Sequence, residues 1–366
     1  MNDSPILQIG NRKIGPGNPV YVIAELSANH AGDLDVALQS VDAIADCGAD
    51  AVKVQTYTAD SMTLDSDDPA FIARADSLWA GTRLYDLYRE GALPWEWHEP
   101  IQQRARAHGI HFFSSPFDPR TVDRLQQLEV PAYKIASLEI VDIPLIRRAA
   151  ATGKPVILST GIASVDDIRQ ALATCHQVGN EQVAVLQCVT QYPTEPEAVN
   201  LRSIPWLQDE FGVVSGLSDH SMGTTAAVAS VALGSAILEK HFILDRSLGT
   251  LDDRFSLEPG EFARMVEQIR EAEQMLGEHG YQLNEPRLSA RRSARSLIAV
   301  RDIRAGEFFT DENVRSLRPN IGLPPACLEI LLGSQAARDI CRGEGITANC
   351  LQAEIHRKTE MIQSTP

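Results

Sequence analysis

Between residues 20 and about 278, short β-rich runs alternate with segments in which apolar residues follow helical spacing. Eight runs can be counted, at residues 20–24, 51–54, 111–113, 132–135, 155–158, 183–186, 213–216 and 236–238. Strands that alternate with helices form parallel β-α units, and eight units with polar residues at the strand exits predict a (β/α)8 or TIM barrel. The alternative is an open doubly wound sheet, which normally has a glycine-rich turn after its first strand. Here the first strand continues as Glu25-Leu26-Ser27-Ala28-Asn29-His30, without a glycine cluster.

The alternation of β-rich runs and helically spaced segments ends near residue 280. We expect a barrel domain over residues 1–280, a linker with a basic cluster over 281–292, a small β-rich domain over 293–353 and a polar tail over 354–366. A module of about 60 residues is marginally stable alone. It is therefore expected to pack against its own barrel or against that of a neighbouring chain.

The bulk composition excludes several classes of function. The formal charge is −16 and the isoelectric point is near 5.0, which argues against nucleic acid as a partner, although a small anionic substrate remains possible. Six cysteines are scattered without a CxxC motif, as expected for reduced thiols in a cytosol. With no bilayer-length apolar run and no signal-peptide pattern, we expect a soluble, cytoplasmic protein without a membrane partner.

Two histidines follow neighbouring predicted strands, and each has an acidic residue nearby. His220 follows Asp219, and His241 closes the run that contains Glu239. A lone histidine is usually structural, but a pair at consecutive barrel strand ends suggests a divalent metal such as Mn²⁺, Co²⁺, Zn²⁺ or Mg²⁺. Such a metal could polarise an aldehyde oxygen, and strand-exit acids such as Glu25 and Glu139 would be candidates for proton transfer.

Two lysines stand in otherwise apolar barrel strands. Burying Lys53 and Lys134 without partners would be costly. They could be paired structurally with Glu25 or Glu139, or they could face an anion. Two lysines, several hydroxyl groups and a glycine-led turn make a phosphate site without a Walker motif, and phosphoenolpyruvate fits such a site.

A long insertion, from residue 56 to about residue 94, separates the second and third predicted strands. Six aromatic residues lie in it or just after it, namely Phe71, Trp79, Tyr85, Tyr88, Trp95 and Trp97. They could pack the insertion onto the barrel. They could instead form a lid that lines a pocket for a substrate with apolar groups, because the βα loops build the active sites of TIM barrels.

Six motifs resemble those of the sialic acid synthase family, at residues 25–30, 48–56, 114–118, 133–137, 216–220 and 239–242. That family couples a TIM barrel to a C-terminal SAF domain, an antifreeze-like β-clip domain, and the resemblance covers about residues 5 to 350. Within the family, residues 84–88, 94–98, 137–140 and 188–193 most resemble the pseudaminic acid synthases.

The resemblance implies a transferase reaction, in which phosphoenolpyruvate condenses with an acylated amino-sugar aldehyde and phosphate is released. The pseudaminic branch uses 2,4-diacetamido-2,4,6-trideoxy-L-altrose. A legionaminate or N-acetylneuraminate synthase on the same scaffold, and a non-catalytic sugar-phosphate binding protein, remain alternatives. The resemblance also implies a divalent metal (Mn²⁺, Mg²⁺ or Co²⁺) and a homodimer in which each SAF domain is exchanged onto the partner barrel.

The resemblance carries roles over to individual residues. It implies metal binding by His220 and His241, catalytic roles for Glu25, Glu139, Lys53 and Lys134, and substrate binding by Ser115, Ser137, Thr190, Tyr192, Ser218, Glu239, Asp252 and Arg318. Arg318 matches the arginine that the SAF domain contributes to the partner's site. Many sialate synthases carry asparagine at the position of Thr190, and this departure favours the diacetamido sugar. Asn320 stands where glycine is common in the family.

Overall fold

The structure is a computed structural model that describes residues 5–75, 77–277 and 280–363. These residues fall into two compact units, divided after Gly277. The first four residues and the last three residues of the expected polar tail lie outside the described part of the chain. Within that part, no helix combines the length and the apolar character needed to cross a membrane.

The first unit is a closed parallel barrel of eight strands, which confirms the predicted TIM barrel. A hairpin of β1 (Leu7–Ile9) and β2 (Arg12–Ile14) precedes it. The barrel strands are β3 (Tyr21–Glu25), β4 (Ala51–Thr56), β5 (His111–Pro116), β6 (Tyr133–Ile135), β7 (Val156–Ser159), β8 (Val183–Cys188), β9 (Val214–Asp219) and β10 (Ile237–His241). Each strand pairs with the next one along the chain, and β10 closes the ring against β3.

Helices connect the strands and cover the barrel. They are α1 (Leu34–Asp46), α2 (Ala59–Met62), α3 (Leu84–Gly91), α4 (His98–Ala107), α5 (Pro119–Gln127), α6 (Ile143–Ala150), α7 (Val165–Gln177), α8 (Ser203–Phe211), α9 (Thr225–Ala232) and α10 (Pro259–Leu276). Because the strands are covered on both faces, they read as continuous apolar runs in the sequence. Local signals set the helix starts; at α7, for example, Ser164 and Asp167 form a capping box.

The second unit has a core of its own. A two-stranded antiparallel sheet pairs β11 (Ser296–Ala299) with β12 (Val314–Leu317), accompanied by α11 (Glu285–Arg291), α12 (Leu328–Leu331) and α13 (Ala353–Gln363). Leu297, Phe309 and Ile346 are among the residues buried in its core. Helix α11 occupies the segment expected to be a linker, and α13 begins where the polar tail was expected.

Candidate active site

A cavity of about 640 Å³ opens at the carboxyl ends of the barrel strands. It brings together ten of the fourteen residues predicted from the sequence, namely Lys53, Lys134, Ser137, Glu139, Tyr192, Ser218, His220, Glu239, His241 and Asp252. This is the end of a TIM barrel where active sites are found. Parallel strands bring their polar exits to one rim, so residues far apart in the sequence share one chamber.

Four predicted residues do not line the cavity. Glu25 and Ser115 lie behind its wall, where both contact Lys53. Thr190 lies beside Ser137, with 2.7 Å between the two hydroxyl oxygens. Arg318 belongs to the second unit, where it is exposed directly after β12.

Lys53 is buried and paired, and it also lines the cavity. Its Nζ lies 2.5 Å from Glu25 Oε2 and 3.5 Å from Glu239 Oε1, and it donates a hydrogen bond of 3.2 Å to Ser115. The structural alternative, pairing with Glu25, therefore holds for this lysine. Burial alone would lower the pKa of Lys53, but Glu239 and Glu25 outweigh it and the pKa is raised, so the side chain is a cation.

The positive charge of Lys134 is compensated by carboxylates much less than that of Lys53. Its Nζ donates to the carbonyl of Ile135 at 3.1 Å, and the nearest carboxylate oxygen paired with it is Glu239 Oε1, at 3.9 Å. Burial lowers the pKa of Lys134, and the attraction of Glu239 does not fully offset this effect. An anion in the cavity would supply the counter-charge, so Lys134 is suited to bind one.

The two predicted acids differ in their access to the cavity. Burial raises the pKa of both Glu25 and Glu139 to about 7. The Glu25 carboxylate is held by Lys53 and accepts a hydrogen bond of 3.1 Å from Gln55. Glu139 lines the cavity, and its Oε2 is buried without a hydrogen bond from a described residue. Glu139 is therefore the better placed group for proton transfer.

The two histidines face each other across neighbouring strand ends, with ring centroids 5.3 Å apart. His220 Nδ1 lies 3.0 Å from the carbonyl oxygen of Val189, which leaves Nε2 available. His241 Nδ1 is buried without a hydrogen bond and lies 3.6 Å from Asp252 Oδ2. Burial, followed by repulsion from His220 and nearby lysines, lowers the pKa of His241 well below its usual value. This imidazole is thus neutral, the form that binds metals. Burial would lower the pKa of His220, but the neighbouring Cys188 outweighs it and that pKa is raised, so His220 would release a proton on binding a metal.

These features fit the divalent metal that the resemblance implies. Among the described residues, no group of three or more His, Cys, Asp or Glu side chains forms a ready metal cage. The chain would therefore provide a pair of imidazoles, one of them oriented by a backbone carbonyl, with the other positions open to substrate and water.

The insertion between β4 and β5 forms a largely apolar upper wall of the cavity, to which Arg74 and Ser77 add polar groups. The wall contains Met62, Ala70, Ile72, Ala73, Trp79, Leu84, Leu87 and Tyr88. Both placements considered for its aromatic residues occur, because Trp95 and Trp97 pack against the barrel core whereas Trp79 and Tyr88 line the cavity. Trp79 also donates a hydrogen bond of 3.2 Å to the carbonyl of Leu251, in the loop after β10. The insertion is thereby tied to the loop that follows β10, two strands away around the barrel.

Most of the chain matches known protein families. Residues 40–281 match the NeuB family, and residues 294–352 match the SAF domain. The chain belongs to the NeuB family. The predicted resemblance to sialic acid synthases, and the SAF domain, are therefore confirmed.

Individual relatives refine this result. A pseudaminic acid synthase from Campylobacter jejuni is 45% identical over 93% of this chain and 98% of its own length. One from Helicobacter pylori is 42% identical over 92% of this chain and 99% of its own length. Legionaminic and sialic acid synthases are more distant, at 32–33% identity. The crystal structure of an N-acetylneuraminic acid synthetase from Leptospira borgpetersenii, in complex with citrate, has a TM-score of 0.71 and 31% identity, covering 78% of this chain and 95% of that one.

Sequence reasoning missed several residues of this NeuB-family cavity. Gln55 lies two residues after Lys53 on β4, so strand alternation could have placed it on the same inward face. Ser159 ends β7 and was not among the predicted site residues, yet its hydroxyl is buried in the cavity wall without a hydrogen bond to a described residue. Cys188 ends β8, with its sulfur 3.9 Å from His220 Nδ1, and no motif in the sequence indicated this contact.

Proposed function

We propose that the chain is a pseudaminic acid synthase, which condenses phosphoenolpyruvate with 2,4-diacetamido-2,4,6-trideoxy-L-altrose and releases phosphate. One observation carries the proposal: a single cavity joins a floor of lysines and histidines to an apolar upper wall. The floor suits a trianion next to a reacting aldehyde, and the wall suits the less polar end of the sugar. The higher identity to pseudaminic acid synthases than to legionaminic and sialic acid synthases supports the choice of sugar.

Phosphoenolpyruvate would bind at the floor. Lys134, which lacks a close carboxylate, and Lys53 provide the positive charge, and the hydroxyl groups of Ser137 and Ser218 line the same chamber. Thr190 holds Ser137 through their 2.7 Å hydrogen bond, so its contribution is to orient that hydroxyl. Charge-assisted hydrogen bonds of this kind are among the strongest that a protein makes to phosphate.

The sugar would bind with its aldehyde towards the histidines and its far end against the upper wall. In the trideoxy sugar carbon 6 is a methyl group, and in N-acetylmannosamine it carries a hydroxyl group. A hydroxyl buried without a partner costs about 1–3 kcal/mol, which is a factor of about 10 to 100 in binding. Glu239 and Asp252, on the polar side of the cavity, are placed to accept hydrogen bonds from sugar hydroxyl groups.

In the proposed reaction, carbon 3 of phosphoenolpyruvate attacks the aldehyde carbon, water adds at carbon 2, and the bond between carbon 2 and the phosphate oxygen breaks. A divalent cation held by His220 and His241 would polarise the aldehyde oxygen. Glu139 accepts a proton of the attacking water through Oε2, which has no hydrogen bond to a described residue. The former aldehyde oxygen takes up one proton to become a hydroxyl group, while the second proton of the water leaves with the phosphate. Lys53 and Lys134 hold the phosphate and stabilise its negative charge as it leaves.

A substrate panel tests the proposal directly. Wild-type protein is incubated with phosphoenolpyruvate, Mn²⁺ and one sugar at a time, and phosphate release is measured. We expect kcat/KM for the 2,4-diacetamido trideoxy-altrose to exceed that for N-acetylmannosamine at least about 10-fold, as the wall argument requires. The best rate with the legionaminic acid precursor would replace the proposed sugar. Tight sugar binding without phosphate release would favour a binding protein.

The apolar wall makes a second prediction. Replacing Leu84 with asparagine puts a polar group where the sugar's methyl group would lie, so KM for the sugar should rise about 10-fold while KM for phosphoenolpyruvate stays within twofold. Leu64→Asn is the matched control, because Leu64 belongs to the same insertion but is 63% exposed and outside the cavity. Steady-state kinetics with each substrate varied in turn provides the measurement. An unchanged KM for the sugar in Leu84→Asn would contradict the assignment of the wall.

We further propose a cytoplasmic homodimer in which the SAF domain of one chain completes the partner's cavity through Arg318. The SAF domain of this chain and the exposure of Arg318 after β12 support this arrangement. The six cysteines, all free, suit a reducing compartment.

The shared site is tested by mixing two inactive variants. Arg318→Ala and Lys53→Ala should each be inactive, but a heterodimer would contain one intact cavity. After statistical subunit exchange, about a quarter of the wild-type activity is expected, because half of the dimers are mixed and each has one working site of two. Mixing either variant with itself is the control. Proven exchange without recovered activity would rule out the shared site.

A further inference from the structure

A buried ion pair lies directly behind the two histidines and outside the cavity. Asp219, the last residue of β9, and Lys240 of β10 are register partners in the barrel and are 2% and 0% exposed. Glu239 and His241 line the cavity. Because side chains alternate along a strand, Lys240 between them points to the opposite face of the barrel wall. The proposed reaction gives this pair no role.

The pair belongs to a closed hydrogen-bond network. Asp219 Oδ2 accepts from Lys240 Nζ at 2.7 Å, and Oδ1 accepts from the backbone N–H and the hydroxyl group of Ser221, at 2.9 and 2.6 Å. Lys240 Nζ also donates to the carbonyl of Ser221. Lys240 thus crosses from β10 and binds both ends of the short turn that carries His220.

We propose that Asp219 and Lys240 are positioning residues that set the separation and orientation of His220 and His241. Each histidine is the next residue along the chain from one member of the pair. The ion pair couples the two strand ends, and the hydrogen bonds to Ser221 close the turn on the far side of His220. The proposal rests on the metal role assigned to the histidines above.

A purely stabilising function explains this arrangement poorly. Replacing a buried ion pair with apolar residues is often neutral or stabilising. The free energy needed to remove two charges from water offsets much of the free energy gained from their attraction. What the charged pair supplies is a specific geometry, since its hydrogen bonds are satisfied only in one arrangement of the two strand ends. A misplacement of about 1 Å at a reacting centre can cost about 100-fold in rate.

Binding of Co²⁺ alone tests the proposal, because the visible absorption of Co²⁺ reports on its ligands without requiring turnover. The variant is the double substitution Asp219→Asn with Lys240→Met, which avoids leaving one buried charge unpaired. We expect Co²⁺ affinity at least 10-fold weaker than in the wild type and an altered spectrum. The Mn²⁺ concentration for half-maximal phosphate release should rise in parallel.

Asp50→Asn is the matched control for lost stability. Asp50 also has a largely covered, ion-paired side chain, 8% exposed, with Arg12 at 2.6 Å and Arg270 at 3.2 Å, but it lies at the amino-terminal end of the barrel strands. The Asp50→Asn variant should bind Co²⁺ with the same affinity as the wild type. Wild-type affinity and spectrum in the double variant, or an equal loss in Asp50→Asn, would overturn the positioning role. A wild-type protein that binds no Co²⁺ would instead overturn the metal role on which it depends.

Discussion

Replacing His241 with alanine is expected to lower kcat by at least about 10²–10³-fold while the barrel remains folded. Removal of a single group that stabilises developing charge typically has an effect of this size. His241 is buried, its Nδ1 makes no hydrogen bond with a described residue, and its ring lies 5.3 Å from that of His220. The alanine variant therefore loses a proposed metal ligand without breaking a hydrogen bond of Nδ1 to the described part of the fold. Phosphate release, metal titration and circular dichroism together measure the effect.

His111→Ala is the control for deleting an imidazole from the same barrel, here a half-buried one. His111 begins β5, at the other end of the barrel, and its Nδ1 lies 2.7 Å from the hydroxyl oxygen of Tyr21. This variant should lose some stability and keep its turnover. Were His241→Ala to turn over at the wild-type rate in the presence of a chelator, the metal role of the histidines would be wrong.

The barrel could be predicted from the sequence because its signals are local and repeated. Each of the eight predicted runs overlaps an observed strand, since a strand covered on both faces is apolar along most of its length. The polar residues at the carboxyl ends of the strands could also be identified from the sequence. Parallel strands place all of them at one end, so Lys134, His220 and Glu239 could be assigned to one chamber before their distances were known.

The choice of partners within that chamber could not be predicted. Lys53 pairs with Glu25 because β3 and β4 are in register at these two residues, and register is a property of the closed barrel. Lys134 has neither Glu25 nor Glu139 within ion-pair distance, although both had been candidates. The position of Trp79 depends on a contact with Leu251, 172 residues away in the sequence. No local pattern encodes such a contact.

The second large effect is expected from Glu139→Gln, which should lower kcat about 10²–10³-fold, within the range for loss of a general base. In the wild type, burial raises the pKa of Glu139 to about 7. A base must be ionised, so kcat/KM should rise with pH, by about tenfold per unit below pH 7, and level off above it. In the glutamine variant this dependence should disappear. Initial rates of phosphate release between pH 5 and pH 9 provide the profile.

Glu25→Gln identifies the origin of that profile, because the pKa of Glu25 is also raised to about 7 by burial. Glu25 is bound to Lys53 and Gln55 and does not line the cavity, so Glu25→Gln should retain the rise in activity through pH 7. A profile lost in Glu25→Gln but kept in Glu139→Gln would reverse the two assignments.

Protein stability gives an independent test of the same carboxyl group. The folded pKa of Glu139, about 7, lies above its ordinary value of 4.5, so the folded state holds this proton more tightly than the unfolded chain does. The resulting stabilisation is complete below pH 4.5 and is lost as the pH rises through 7. Glu139→Gln removes the charge that is buried above pH 7, and it should therefore be more stable than the wild type at pH 8 and similar at pH 4. Burial that raises the pKa of a catalytic base also destabilises the fold at the pH where the base is ionised. Such a loss of stability is expected of an active-site base.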